Sequence, residues 1–110
     1  MAVDIKVDAL RTLERAEEPF SRNQSRIEAL RVRMEKASEY ARGRPRNEAS
    51  ARQWEIMKDP DGHMMGGFLT RWQQEDSLSH GFIRQAYVLI AEGFDTIIGL
   101  ESGKIGNDRR

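Results

Sequence analysis

Residues 13–41 read LERAEEPFSRNQSRIEALRVRMEKASEYA, and the apolar side chains of this stretch return every seven residues. Leu13, Phe20, Ile27, Met34 and Ala41 form one column, with Ala16, Asn23, Leu30 and Ala37 three places later. Sustained over about four heptads, such a stripe predicts a long helix with a narrow seam, the geometry of hairpins and coiled coils. Pro19 lacks a backbone donor and clashes with the preceding turn, so the helix kinks or restarts there. Ser21 and Gln24, at capping-box spacing, favour a restart. Asn23 is the one polar seam residue, read either as a tolerated solvent-edge position or as an amide that fixes register.

Toward the N-terminus, Val3, Ile5 and Val7 alternate with Asp4 and Lys6, the period of a strand. No second strand-like run exists to pair with it, so an extended lead-in is expected, ending at Asp8 as N-cap for Ala9 to Glu18. Beyond the stripe, Arg42-Gly43-Arg44-Pro45-Arg46 ends the first long helix, because Gly43 suits a left-handed C-cap and Pro45 disfavours helix at Arg44. Ala49 to Lys58, with Trp54, Ile56 and Met57, reads as a short helix that stops at Asp59-Pro60-Asp61-Gly62, a run with turn chemistry throughout.

A second stripe starts near Met64 and runs through Leu69, Trp72, Ile83, Ala86, Ile90, Gly93, Ile97 and Leu100, widened by Phe68, Phe82, Leu89 and Phe94. Ser79, Ala86 and Gly93 make a column of small residues that predicts close approach by another helix. The expected fold is all-α, an antiparallel helical hairpin with one helix from Asp8 to Arg42 and the other from Met64 to Leu100. A three-helix bundle, with residues 49–58 packed across the other two, is the runner-up. Residues 1–101 read as a single helical domain and 102–110 as a flexible tail.

A chain of 110 residues holds one domain. Charged residues make up 33% and aromatic residues 7%, a thin store of large core side chains, so a core completed by a partner is expected. Zero cysteines exclude a disulfide scaffold, a thiol nucleophile and Cys-ligated metal sites. No run approaches the roughly 20 apolar residues of a membrane span, and Asp4, Lys6 and Asp8 stand where a signal peptide needs apolar side chains. The expectation is a cytoplasmic protein, or one exported without a cleaved signal.

His63 reads as a residue beside a turn and His80 as a helix-surface residue. Glu75 and Asp76 lie close to Ser79 and His80 without a nucleophile elbow or oxyanion-hole signature, and Asp76 with His80 at i, i+4 supplies only two metal ligands. No catalytic residue, cofactor or metal is expected. Arg42, Arg44 and Arg46 around Gly43 and Pro45 resemble the centre of an AT-hook, in which arginines seek the negative potential of a narrow minor groove. The same residues read better as a helix stop followed by a turn, since Glu39 and Glu48 flank them where a hook carries more basic residues, so nucleic acid is the less favoured partner. The favoured partner is a second copy or a similar small helical protein, giving a homodimer or heterodimer. The expected interface comprises Leu13, Phe20, Ile27, Leu30, Met34, Phe68, Trp72, Phe82, Ile83, Ala86, Leu89, Ile90, Gly93, Phe94 and Ile97.

Two amphipathic stretches around a central break, the lead-in Ile5-Lys6-Val7-Asp8-Ala9-Leu10, and Gly66-Gly67-Phe68 followed by Trp72 together resemble the WXG100 family, the ESAT-6-like small substrates of type VII secretion. The resemblance spans residues 3 to about 100. Trp54 is followed by Glu55 and Ile56, so the Trp-x-Gly tripeptide is absent, and Tyr87 lacks an acid four places on. What the resemblance implies is a divergent, non-catalytic helical member acting with another helical chain in a four-helix bundle, as a substrate or as a substrate's partner.

Overall fold

The computed structural model describes residues 1–103, which are all-helical with no strand among them. Five helices follow one another: α1 (Ala2–Leu13), α2 (Gln24–Gly43), α3 (Glu48–Lys58), α4 (Met65–Glu75) and α5 (His80–Glu101), with a 3-10 turn at Phe20–Asn23 before α2. Two long helices were expected where four of these five stand; α3 lies where a short helix was predicted.

The N-terminal lead-in is helix. Ile5, Ala9 and Leu13 recur at i, i+4 with Ala2 and Ala16 on the same side, and all five are buried. That 3.6-residue period outweighs the two-residue alternation, because it supplies a face that the rest of the chain can cover. Val3 and Val7 are the outward residues of the same helix, at 55% and 44% exposure. Asp8, expected as an N-cap, lies inside α1 and accepts a hydrogen bond from Arg33 Nη1 of α2 at 2.9 Å.

Between α1 and α2 the chain reverses instead of kinking, so α1 lies back along α2. The buried Asn23 amide fixes this bend, Nδ2 donating to Glu18 Oε1 and to the Pro19 carbonyl, each at 3.2 Å. Its role is local, unlike either sequence reading. The Ser21–Gln24 capping box does not form, since neither the 3-10 turn nor α2 has a side-chain cap.

The second expected helix is interrupted at residues 76–79. Asp76 takes a positive-φ backbone (φ 67°), and Ser79 caps α5, its Oγ accepting from the Phe82 N–H at 3.2 Å. The two interruptions are knitted together. Leu78 N–H donates to the Ala16 carbonyl at 2.7 Å, and Phe20 N–H to the Asp76 carbonyl at 2.9 Å. The buried Trp72 indole closes the junction, Nε1 donating to the carbonyls of Glu18 (2.9 Å) and Asp76 (3.1 Å) while its ring meets Phe20 edge-on at 5.7 Å.

α1, α2, α3 and α5 close a ring, each packed on two of the others, and α4 continues from α3 toward the junction. The Cα envelope measures 45 × 23 × 23 Å. Lys58 Nζ meets Glu35 at 3.1 Å and Arg42 meets Glu55 at 2.6 Å across α2 and α3. Trp54, without solvent exposure, stands edge-on to Phe94 at 6.1 Å and donates Nε1 to Glu101 Oε2 at 3.2 Å, tying α3 to the end of α5. Among the described residues no buried side-chain nitrogen or oxygen lacks a partner. α2 runs through Gly43 to an extended Arg44, and the left-handed residue of that loop is Arg46 (φ 61°), not the expected Gly43. Asp59 accepts from the Asp61 and Gly62 amides, forming the turn its sequence predicts. Of the expected tail, Ser102 and Gly103 form a turn, and residues 104–110 lie outside the described residues.

Gly66 and Gly93 do different work. A Cβ on Gly66 would fall on the Lys58 carbonyl, so the start of α4 packs directly on the backbone of the α3–α4 turn. Gly93, expected to admit another helix, instead receives the methyl ends of Met64 and Met57 from the same chain. Gly66→Ala is expected to destabilise by at least about 2 kcal/mol, because rigid backbone must move. In Gly93→Ala the flexible methionine ends swing aside and about 1 kcal/mol of helix propensity is gained, leaving stability within about 1 kcal/mol of the parent. Trp72→Phe, which leaves the Glu18 carbonyl without its indole donor, should cost about 1–3 kcal/mol. Urea denaturation followed by circular dichroism measures all three.

Candidate interaction surface on the last helix

Placed on this fold, most of the residues expected at an interface are covered by their own chain. Leu13, Phe20, Ile27, Leu30, Met34, Phe68, Trp72, Ile83, Ile90, Phe94 and Ile97 are all buried in the core. Phe82, Ala86 and Gly93 are half-buried, and Leu89 alone of the set is exposed, at 46%. The physical reason is the pair of breaks: folding each expected long helix back on itself gives the greasy stripes partners within the chain.

Met1, Val3, Val7, Val32, Tyr40 and Ile56 are exposed elsewhere on the chain, and on α5 Val88 and Leu89 form a ridge between two clefts. Val88, at 59% exposure, stands beside Leu89 in the middle of the helix. On the Val88 side a cleft of about 420 Å³ runs between α5 and the end of α1, lined by Glu14, Glu17, His80, Ile83, Arg84, Tyr87 and Val88. There His80 Nδ1 lies 3.2 Å from Glu17 Oε2. On the Leu89 side a cleft of about 250 Å³ lies against α4, its wall made by the stacked rings of Phe68 and Phe82 (5.9 Å). Arg71 covers the Phe82 face at 4.3 Å and pairs with Glu75 at 2.9 Å.

Val88 escaped the sequence reading because it falls outside the apolar stripe. The signal that finds it is the complement of that stripe, the residues at helical spacing on the opposite side of α5: Gly81, Arg84, Val88, Glu92 and Asp95. Val3 and Val7 were missed with the helix that carries them. Their shoulder lies beside α5, fixed by Lys6 Nζ on Asp95 Oδ1 at 2.6 Å.

The arginine loop is partly occupied by its own chain. Arg42 Nη1 donates to Glu55 at 2.6 Å, and Arg44 donates to the Tyr40 hydroxyl at 2.6 Å with its guanidinium 5.2 Å from that ring centre. Arg46 is also engaged within the chain. His63 and His80 are exposed, and no group of three or more His, Cys, Asp or Glu is placed to hold a metal ion among the described residues. No helix of the described residues is long and apolar enough to cross a membrane.

Ile90→Asp is expected to unfold the chain, since it places an unpaired charge at a site without solvent, at a cost above about 3 kcal/mol. Val88→Asp and Leu89→Asp should each leave the thermal midpoint within a few degrees of the parent; scanning calorimetry of the three variants separates core from surface. Comparison of the chain with protein-family models, curated proteins and solved structures gave no match.

Proposed function

We propose that this chain is a non-catalytic helical interaction protein that docks the outer face of α5 on another helical chain, a second copy or a small protein of similar build. The observation that carries this reading is the Val88–Leu89 ridge, apolar and exposed, with a cleft on either side into which a partner's side chains fit. The predicted apolar stripes are satisfied internally, and association over this ridge gains from burial at roughly 25 cal/mol per Å² of apolar area. The resemblance to WXG100 proteins supports the same class of role: a small helical substrate of type VII secretion, or the partner of one, assembled as a helix-bundle dimer.

The alternative, a DNA-binding protein reading A·T-rich duplex through Arg42, Arg44 and Arg46, is disfavoured by the intrachain partners that Arg42 and Arg44 already hold. A minor-groove contact would have to displace both.

A photo-reactive amino acid placed at position 88 in the expressing cell should give a cross-linked adduct of one defined mass, and the same residue at position 36 on α2 should not. Absence of any adduct from position 88 would remove the interaction reading. In parallel, titration of A·T-rich duplex should show no saturable binding. The DNA reading requires affinity to fall with salt at a slope of about −0.9 per phosphate neutralised, and binding to be lost on changing all three arginines to alanine.

A further inference from the structure

We infer that α5 pairs antiparallel with α5 of a second copy across a twofold axis at Val88; the inference rests on the interaction reading and names its partner. Closed pairing of identical chains requires a face complementary to itself, and the outer face of α5 has that property in its charges. Arg84 lies four residues before Val88 and Glu92 four residues after it, on the same side of the helix. Antiparallel pairing about Val88 therefore sets Arg84 of each copy against Glu92 of the other, making two ion pairs at once. Parallel pairing would set like against like, which costs energy.

Among the described residues neither side chain is engaged elsewhere: Arg84 and the Glu92 carboxylate have no ion pair or hydrogen bond, the one bond at Glu92 being its carbonyl accepting from Thr96. Asp95, the next acid on this face, is already held by Lys6 at 2.6 Å. The same twofold places Gly81 of one copy opposite Asp95 of the other. A Cβ on Gly81 would meet nothing within 4 Å, so no packing within the chain calls for glycine there. Its missing side chain leaves room for the other copy's Lys6–Asp95 pair.

Reach and apolar content fit as well. The overlap around Val88 runs from His80 to Thr96, about 25 Å of helix at 1.5 Å per residue. Along that length the contact takes in Val88 at the axis, Leu89 on one flank and the Val3–Val7 shoulder on the other.

The test uses the full chain and its lack of cysteine. Sedimentation equilibrium should show a reversible dimer that Arg84→Glu or Glu92→Arg alone weakens by at least about tenfold, and that the double variant R84E/E92R restores. Val88→Cys should form a disulfide-linked dimer under mild oxidation, and Val32→Cys on the exposed side of α2 should not. Circular dichroism of each variant establishes that it is folded. A wild-type chain monomeric at all concentrations, a dimer indifferent to the single substitutions, or a double variant no better than the singles would overturn the inference. If it fails while position 88 still cross-links to a different helical protein, the interaction reading stands and self-pairing falls; if position 88 captures nothing, both fall.

Discussion

The fold depends on the junction at which the two breaks in the chain meet. The bend after α1 and the turn before α5 exchange backbone hydrogen bonds between Leu78 and Ala16 and between Phe20 and Asp76, and the Trp72 indole adds two more. A buried carbonyl left without a donor costs about 1–3 kcal/mol, so these bonds hold both breaks in one geometry. Asp76 shows the balance of forces. Its positive-φ backbone (φ 67°, ψ −34°) is disfavoured for a residue with a Cβ by about 1–3 kcal/mol, and it persists because its amide donates to the Trp72 carbonyl at 2.7 Å while its own carbonyl accepts from Phe20 and Trp72. From this knot follow the return of α1 along α2 and the angle at which α5 leaves α4.

Because the junction turns α1 back and separates α4 from α5, the stripes that could have faced a second chain face each other. Trp54, Phe94, Ile90, Met34 and Leu30 fill a core from which solvent is excluded. A core completed by a partner, the expectation from the small aromatic content, is unnecessary: methionines fill the irregular spaces instead, Met57 and Met64 over Gly93 and Met65 at the start of α4. The surface relevant to association is thereby reduced to what the ring of helices leaves outside α5.

Much of the secondary structure was legible from side-chain spacing. Ile27, Leu30, Met34, Ala37 and Ala41 lie on the buried face of α2 as their heptad beat predicts, and α3 with its Asp59 turn ends where its residues say it should. Other features were hidden for physical reasons. An apolar stripe states that a face is covered and not by what, so Ile83, Ile90 and Phe94 read as intermolecular when their cover is α1 and α3. Pro19 marks an interruption without distinguishing a kink from a reversal, a difference made by Asn23 and by donors more than fifty residues away. The stop at Asp76 was disguised by apolar residues continuing on either side, although Ser77 and Ser79 are a capping signal. The ridge at Val88 was least legible, since one exposed valine means nothing until the helix around it has been oriented.

α1 carries a further implication for how the molecule opens. A helix of 12 residues is at or below the length that holds in water by itself, about 12–15 residues even for good helix formers. It is helical because it is docked, with the Lys6–Asp95 and Arg33–Asp8 pairs on its two sides and Ile5, Ala9 and Leu13 between them. Detachment and melting of α1 are therefore one cooperative event, and its amide protons exchange with solvent as a group. The same event uncovers the part of the α5 stripe that packs on α1, while α3 still covers the rest. Apolar surface that the intact fold keeps from water is thus held behind the first helix, and a concerted loss of structure at the N-terminus exposes it.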